Sequence, residues 1–143
     1  MELATAMDFA RQQPRGVLVT IKRDGRPQLS NIMYKVGDDD VPRISITDSR
    51  AKTKNLRRDP RASLYVGRED FWAYCVLEGT AELSPVAAAP DDATVEELVV
   101  MYRAAAGEHP DWGDFRRAMV RDGRLVLRFR PEQAYGMLPD GGT

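Results

Sequence analysis

The sequence predicts an α+β fold, mainly β: a small antiparallel barrel of about six strands with short helices at its ends. Three observations predict it. A tight turn joins the first two strands, most later strands follow one another directly, and only three segments have a helical pattern. A doubly wound parallel sheet would need a helix between nearly every pair of strands. The chain of 143 residues fits one domain, which we place over residues 1–143.

The first two strands are predicted to form a hairpin. Residues 16–21 and 28–35 are rich in aliphatic side chains and flank Asp24 and Gly25. This dipeptide supplies the positive-φ residues that a tight hairpin turn requires. We therefore expect the two segments to pair antiparallel.

Four further strands are predicted from alternation and from β-branched or aromatic content. They cover residues 42–47, 62–66, 72–83 and 124–130. Gly79, inside the long third segment, predicts a bulge or a close backbone approach. Pro131 is expected to end the last strand, because proline cannot donate to a sheet ladder.

Three helices are predicted from capping residues and apolar spacing. They cover residues 49–58, 90–107 and 110–121. Pro60 stops the first, and Gly123 follows the third. The second carries an apolar stripe from Val95 to Tyr102 at the i, i+3, i+4 and i+7 positions.

The composition argues against several classes of function. The net charge of −1 argues against binding of polyanions by the whole domain, so we expect no nucleic-acid partner. One Cys and one His cannot supply a four-coordinate zinc site, and no metal is expected. No apolar run approaches the ~20 residues of a transmembrane helix, and no leader pattern opens the chain. We therefore expect a cytoplasmic protein with no membrane partner.

The most informative segment spans residues 50–61, where six basic residues accompany one acid in a chain of slightly negative total charge. If the helix begins near Arg50, its first turn offers free backbone N–H groups and the positive end of the helix dipole. Arg50, Lys52 and Thr53 would surround that turn. This arrangement predicts a phosphate site.

The same segment predicts a basic stripe. Arg50, Lys54, Arg57 and Arg61 are expected to share one helix face, on which a longer anionic tail could lie. The alternative interpretation is a solvated charged surface, which is the common role of charge runs.

Polar residues on the second strand are another candidate. Alternation places Gln28 and Ser30 on one face and Asn31 on the other. Amide and hydroxyl groups there could bind the carbonyls and nitrogens of a heterocycle. The alternative is the polar outer face of an amphipathic strand.

Trp72, Tyr74 and Tyr65 form an aromatic group on sequential strands, and Trp72 and Tyr74 are expected to point the same way. They could flank a planar ring, pack in the core or form a subunit interface. Cys75 is interpreted as a buried small hydrophobe. The sequence lacks a Gly-x-Ser-x-Gly nucleophile elbow, and no catalytic side chain is predicted.

Four runs carry a resemblance to a known family: residues 16–20, 24–31, 50–61 and 78–81. In these runs, and in the order of its elements, the chain resembles the pyridoxamine 5′-phosphate oxidase-like split-barrel flavoproteins. Within that superfamily it is most similar to the actinobacterial branch that binds the deazaflavin coenzyme F420 in place of FMN. The resemblance implies a split β-barrel homodimer with the cofactor in a groove at the subunit interface.

The resemblance also implies a set of cofactor-binding residues. The basic helix start would hold the phosphate, two strands would lie beside the ring, and an aromatic pair would reach the site from the dimer interface. By position these are Arg50, Lys52 and Thr53 for the phosphate, Gln28, Ser30, Asn31 and the backbone of Ser45, Ile46 and Thr47 for the ring, and Trp72 with Tyr74. Residues 134–139 lack the Arg-containing motif of true pyridoxamine-phosphate oxidases, which argues against pyridoxal phosphate synthesis.

The leading hypothesis is an F420-dependent reductase that transfers a hydride to an unsaturated small molecule. An FMN-dependent oxidase or reductase of the same fold is the alternative, since it would share Arg50 and Lys52 without needing the rest of the stripe. A non-catalytic F420-binding protein is a third hypothesis. Single-stranded nucleic-acid binding by the basic helix and the aromatic group is a fourth, which the negative net charge disfavours.

Overall fold

Seven antiparallel strands form one curled sheet in the computed structural model, which describes residues 1–139. The strands are β1 (Arg15–Ile21), β2 (Pro27–Met33), β3 (Lys35–Val36), β4 (Pro42–Thr47), β5 (Arg61–Gly67), β6 (Tyr74–Leu83) and β7 (Arg124–Met137). Their order across the sheet is β2-β1-β5-β6-β7-β4-β3. The predicted α+β, mainly β class is confirmed, with one strand and one helix more than expected.

Four helices accompany the sheet within the described residues. They are α1 (Leu3–Arg11), α2 (Ala51–Arg58), α3 (Ala93–Ala106) and α4 (Trp112–Arg121). None of these helices is both long and apolar enough to cross a membrane. α2, α3 and α4 confirm the three predicted helices, whereas α1 was not predicted.

The sheet curls into a half-barrel because its two edges are consecutive in the chain. β2 and β3 are those edges, and Tyr34 alone separates them, so the strand predicted over residues 28–35 is broken there. Tyr34 is buried, and its hydroxyl donates a 2.6 Å hydrogen bond to the carbonyl of Ala10. Burial raises the pKa of this phenol far above its ordinary value. The Tyr34 hydroxyl therefore stays protonated, and its hydrogen bond links the β2–β3 connection to α1.

Alternating aliphatic side chains fill the half-barrel. Ile44 and Ile46 point inward from β4 and pack with Leu125, Leu127 and Phe129 of β7. All five are at most 2% exposed. Full burial of one such side chain stabilises the fold by about 1.5–3 kcal/mol.

α1 fills one open end of the half-barrel. Its Ala6, Met7 and Ala10 are buried in the core, and the thiol of Cys75 contacts the carbonyl of Ala6 at 3.8 Å. Small side chains allow this helix to lie close to β6 and β7. Cys75 is thus a buried residue as expected, and burial raises the pKa of its thiol to about 11.

The longest strand departs from the prediction. β7 continues beyond Pro131 to Met137 and stays paired with β6. The register shifts between Glu78 and Gly79, where Gly79 faces Pro131, so the proline lies at a bulge. A Cβ on Gly79 would lie 2.0 Å from the carbonyl oxygen of Arg130, and only glycine fits. The bulge at Gly79 is confirmed, whereas the predicted strand end at Pro131 is wrong.

α3 and α4 pack on the outer face of the sheet, opposite the barrel core. Both begin at an Asp N-cap: Asp92 accepts from the backbone N–H of Val95 at 2.9 Å, and Asp111 from that of Asp114 at 3.0 Å. Apolar side chains of the two helices cover the outward-facing Val126 of β7. This second buried cluster contains Ala87, Val95, Leu98, Val99, Phe115 and Val126.

One carboxylate ties α3 to two strands. Glu97 accepts hydrogen bonds at 2.9 Å from Arg43 of β4 and from Arg128 of β7. Each arginine binds a second acid, Asp39 for Arg43 at 2.9 Å and Glu82 for Arg128 at 2.8 Å. Hydrogen bonding by Arg128 lowers the pKa of Glu97 below its ordinary value. These side chains therefore form a charged network over the outer face.

We predict that Glu97→Gln lowers the free energy of unfolding by about 1–3 kcal/mol at pH 7, because charge-assisted hydrogen bonds become neutral. The folded-state pKa of Glu97 is depressed, so its contribution exists above the ordinary carboxyl pKa and is lost as the pH falls through the folded value. The difference in stability between wild type and variant should therefore shrink as the pH falls below the ordinary carboxyl pKa of about 4.3. Glu69→Gln, at an exposed position, is the control. A loss that stayed equal at pH 7 and pH 3 would contradict the prediction.

Candidate functional site

Hydrogen bonds to the end of β4 fix the start of α2. Thr53 is fully buried, and its hydroxyl donates to the carbonyl of Thr47 at 2.6 Å; the backbone N–H of Arg50 donates to the same oxygen at 3.3 Å. Arg50 is the N-cap residue, in an extended conformation. Within residues 1–139, the backbone N–H groups of Ala51 and Lys52 have no partner. These donors, at the positive end of the helix dipole, are available to an anion.

Cationic side chains surround this helix start. The side chains of Arg50, Lys52 and Lys54 make no hydrogen bond or ion pair with any other described residue. Lys52 is partly buried, and burial lowers its pKa, with further contributions from the charges of Arg50 and Arg124. Positive charge is therefore crowded here without a carboxylate to balance it, which an anionic ligand would relieve.

The predicted basic stripe along α2 is wrong. The helix ends at Arg58, and Arg61 lies on β5 instead of on the helix face. Arg57 pairs with Asp48 at 2.8 Å, and Arg61 pairs with Asp59 at 2.8 Å. Unbalanced positive charge is consequently concentrated at the start of α2 and does not follow its whole length.

Arg124 of β7 joins the cationic group from a distant part of the sequence. It lies opposite Thr47 in the β4–β7 pairing. Its Nη1 is 3.5 Å from the carbonyl oxygen of Ser45, a distance at the limit of a hydrogen bond. Its Nε is buried and has no hydrogen-bond partner. Such orphaned donors are rare in folded proteins, and this one fits a site whose ligand supplies an oxygen.

β4 has an open edge beside these cations. β3 pairs only with Pro42 and Arg43, so the rest of that edge has no neighbouring strand among residues 1–139. Val126, opposite Ser45, directs both of its backbone groups to Ser84 on the other side. By antiparallel alternation the N–H and C=O of Ser45 therefore point to the open edge. Unpaired backbone groups of this kind can bind the polar edge of a ring.

A groove of about 850 Å³ extends from this edge towards α3 and α4. Ser45 and Arg124 belong to its wall, so the groove reaches β4 next to the cationic helix start, although the residues of the helix start do not line it. A volume of this order suits a cofactor or a drug-sized ligand. The lining includes no Asp or Glu among the described residues, and its apolar side chains are Met33, Val36, Leu98, Met101, Tyr102, Ala105, Phe115 and Met119.

Aromatic rings stiffen the far wall of the groove. Tyr102 packs against Phe115 and Trp112 with ring centroids 5.1 Å and 5.7 Å apart. His109 lies 5.2 Å from Tyr102, and its Nδ1 accepts a hydrogen bond from the backbone N–H of Asp111 at 2.9 Å. The single histidine thus belongs to the structure of the wall.

Residues 4–138 match the sequence profile of the family described as pyridoxamine 5′-phosphate oxidase. The chain belongs to this family. The resemblance identified from the four sequence runs is therefore confirmed, and it covers almost the whole chain.

Solved structures show the same fold. The conserved hypothetical protein Rv2991 from Mycobacterium tuberculosis is 25% identical, with a TM-score of 0.74 over 95% of this chain and 84% of its own. A structure described as an F420 Reductase is 21% identical, with a TM-score of 0.67 over 90% of this chain and 94% of its own. A heme binding protein from Mycobacterium smegmatis is 24% identical, with a TM-score of 0.62 over 93% of this chain and 52% of its own. One fold thus serves proteins that bind different ligands.

In this member of the family, Gln28 and Ser30 lie away from the groove. They share a face of β2 with the buried Ile32. The amide of Gln28 accepts a hydrogen bond from Thr20 at 3.0 Å and donates one to Ser30 at 3.0 Å, while Asn55 of α2 donates to Thr20 at 3.1 Å. This polar chain attaches α2 to the first hairpin and uses the groups that were expected beside a ring.

Asn31 lies on the opposite side of β2, on a broad exposed surface. Strand pairing extends this surface across five strands, and we call it the outer sheet face. One row across it contains Asn31, Val17, Tyr65, Val76 and Tyr135, and the neighbouring row contains Met33, Tyr74 and Met137. The rings of Tyr65 and Tyr74 stack at 5.7 Å, whereas Met33, Tyr135 and Met137 are 74%, 50% and 58% exposed.

Trp72 precedes the strand on which it was predicted. β6 begins at Tyr74, and Trp72 lies in the turn before it with 74% of its surface exposed. Its backbone N–H donates to the carboxylate of Asp70 at 3.0 Å. Trp72 therefore projects from a turn at the edge of the outer sheet face.

Two parts of the site were missed in the sequence. Arg124 was assigned only to the last strand; the alternation of that strand indicates its outward direction but not its position beside Thr47. The wall built by α3 and α4 could not be placed, because no pattern shows where a helix pair packs on a sheet. The structure places Ser45, Thr47, Arg50, Lys52 and Thr53 at the end of β4 and the start of α2.

We predict that Thr20→Val destabilises the protein without altering the groove. The substitution keeps the side-chain shape but leaves the amide groups of Asn55 and Gln28 without their shared partner. The expected loss in free energy of unfolding is about 1–3 kcal/mol, measured by chemical denaturation. Thr80→Val, at a hydroxyl exposed on β6, is the control and should be nearly neutral. Equal stability of the two variants would contradict the role of the polar chain.

Proposed function

We propose that this protein binds the deazaflavin coenzyme F420 and uses it to reduce an unsaturated small molecule. The observation that carries the proposal is the proximity of an unbalanced cationic helix start to a groove of about 850 Å³ that is lined on one side by apolar side chains and includes Ser45 and Arg124. A phosphate-bearing planar cofactor requires both features. Membership of an oxidoreductase-type family and the likeness of fold to an F420 Reductase support it.

The helix start would hold the phosphate. Arg50 and Lys52 supply the charges, and the free N–H groups of Ala51 and Lys52 supply hydrogen bonds. Thr53 contributes through its hydroxyl to Thr47, which fixes the turn and leaves no donor for the ligand. Phosphate binding is thus assigned to a rigid part of the fold.

The ring would lie in the groove along the open edge of β4. The backbone from Ser45 to Thr47 offers polar groups to one edge of the ring, and the apolar wall excludes water from its face. When bound, the reduced coenzyme supplies the hydride. The described lining holds no carboxyl group, so the protein contributes position and environment and not a carboxylic acid or base.

FMN is the second candidate ligand, because two arginines of the predicted basic stripe already have acid partners. Arg57 and Arg61 are already paired with acids, so the charge that a long anionic tail would use is reduced to Lys54 near the helix start. A cofactor that ends at one phosphate needs nothing more than the cationic cluster. The two ligands must therefore be compared directly.

We also propose that two copies of the chain associate through the outer sheet face. Its exposed Met33, Tyr135 and Met137 form an apolar patch that monomers rarely leave uncovered. Trp72 and Phe71, which are 74% and 82% exposed, extend the patch at one edge. A second copy of the chain is the partner that the family resemblance implies for this patch. We also propose that the protein is cytoplasmic.

We predict that Lys52→Met raises the Kd for the oxidised cofactor by at least about tenfold, because a charge-assisted contact to phosphate is lost. Fluorescence titration of F420 and of FMN with each protein is the measurement. Arg57→Met removes one charge from the same helix, but from a side chain already paired with Asp48, and should change the Kd by less than about twofold. Tighter binding of FMN would transfer the proposal to the second candidate, and absence of binding to both would refute it.

We predict that Tyr135→Asp converts a dimer into a monomer, because it places a charge among the exposed apolar side chains of the outer sheet face. Light scattering coupled to gel filtration reports the mass. Val100→Asp introduces the same charge at a residue of α3 that is 62% exposed and lies outside this face, and it should leave the dimer intact. A monomeric wild type, or a dimer that survives Tyr135→Asp, would contradict this interface.

A further inference from the structure

We propose that Arg124 is a third cationic ligand of the phosphate site, and that its guanidinium leaves the carbonyl of Ser45 to bind the anion. No sequence motif of the phosphate site includes it, since it lies on β7, far along the chain from α2. The inference rests on the proposed function only in that the phosphate is taken to be that of the cofactor. The anion site itself rests on the residues alone.

The position of Arg124 is fixed by backbone contacts. It pairs with Thr47, the residue whose carbonyl oxygen accepts from both Thr53 and Arg50 at the start of α2. The preceding residue, Gly123, has a φ of 64°, and its carbonyl accepts from the backbone N–H of Asp48 at 2.9 Å. The start of β7 is therefore attached to the same turn that presents the cationic group.

Unlike the neighbouring arginines, Arg124 has no ion-pair partner in the described part of the chain. Three arginines share the outer face of the β4–β7 pair, and two of them are bound by acids. Arg43 contacts Asp39 and Glu97, and Arg128 contacts Glu82 and Glu97. Arg124 has no ion pair with any described residue; its Nε is a buried orphan, and its one hydrogen bond, to Ser45, is long at 3.5 Å. The missing partner is an anion.

The chemistry of the side chain suits a phosphate. Guanidinium presents its donors in a planar fork that matches two oxygens of a phosphate. Turning away from Ser45 would expose Nε and bring it with one Nη to the anion beside Lys52. The same movement would release the carbonyl of Ser45 at the open edge of β4, within the groove wall. Anion binding and preparation of the ring site would thus be one event.

The test follows the Nε–H resonance of Arg124 by NMR, assigned by its absence from Arg124→Met, during titration with inorganic phosphate. We expect that resonance to shift together with the backbone amides of Ala51 and Lys52. The Kd for phosphate should rise by about 10- to 100-fold in Arg124→Met and less in Arg124→Lys, which keeps the charge but loses the fork. Arg121→Met is the matched control, since Arg121 is 70% exposed and paired only with Asp122.

The possible results separate the two proposals. Phosphate binding that depends on Arg124, without binding of F420 or FMN, supports this inference and refutes the proposed function. Cofactor binding that is unchanged in Arg124→Met, or a resonance that phosphate does not move, overturns the role of Arg124 and leaves the proposed function standing. If Arg124→Met does not fold, the titration of wild type and of Arg124→Lys still decides.

Discussion

The candidate site depends on the short length of β3. Its two residues pair only with Pro42 and Arg43, so β4 continues as an uncovered edge to Thr47. The end of β4 then passes directly into the turn that begins α2, and the hydroxyl of Thr53 fixes that turn. A longer β3 would cover the edge and remove the space beside it. Because β3 is short, the unpaired backbone of β4, the cations of the helix start and the groove lie next to one another.

Ion pairing determines which Lys and Arg side chains remain available to bind an anion. Lys and Arg number 21 against 22 acids, yet the acids are distributed unevenly over the fold. Asp48, Asp59 and Glu97 bind arginines outside the helix start, whereas Arg50, Lys52 and Arg124 have no acid in the described part of the chain. The helix start therefore stays positive in a protein of net negative charge. Counting basic residues along the sequence could not separate these two groups, because pairing is decided by the folded structure.

Local patterns predicted the parts of the fold that depend on local physics. The hairpin around Asp24 and Gly25, the bulge at Gly79 and the helix start near Arg50 follow from backbone preferences of single residues. α1 was missed because it has no side-chain N-cap and its buried stripe is mostly alanine. The role of Arg124 depends on a contact between segments more than 70 residues apart, which no local pattern reports. Family resemblance assigned Ser45, Lys52 and Gln28 to one cofactor site; the structure gives the amide of Gln28 internal partners in Thr20 and Ser30.

Affinity and selectivity are built from different segments of this molecule. The anion site uses the end of β4, the start of α2 and the start of β7, which backbone hydrogen bonds hold rigidly. The apolar wall comes from α3 and α4, which attach to the sheet through Glu97 and through the cluster around Val126. Side chains such as Met101 and Met119 can change in this wall without disturbing the anion site, because they contact neither the helix start nor the barrel core. The lining of the groove can therefore vary in sequence while the cationic helix start is retained.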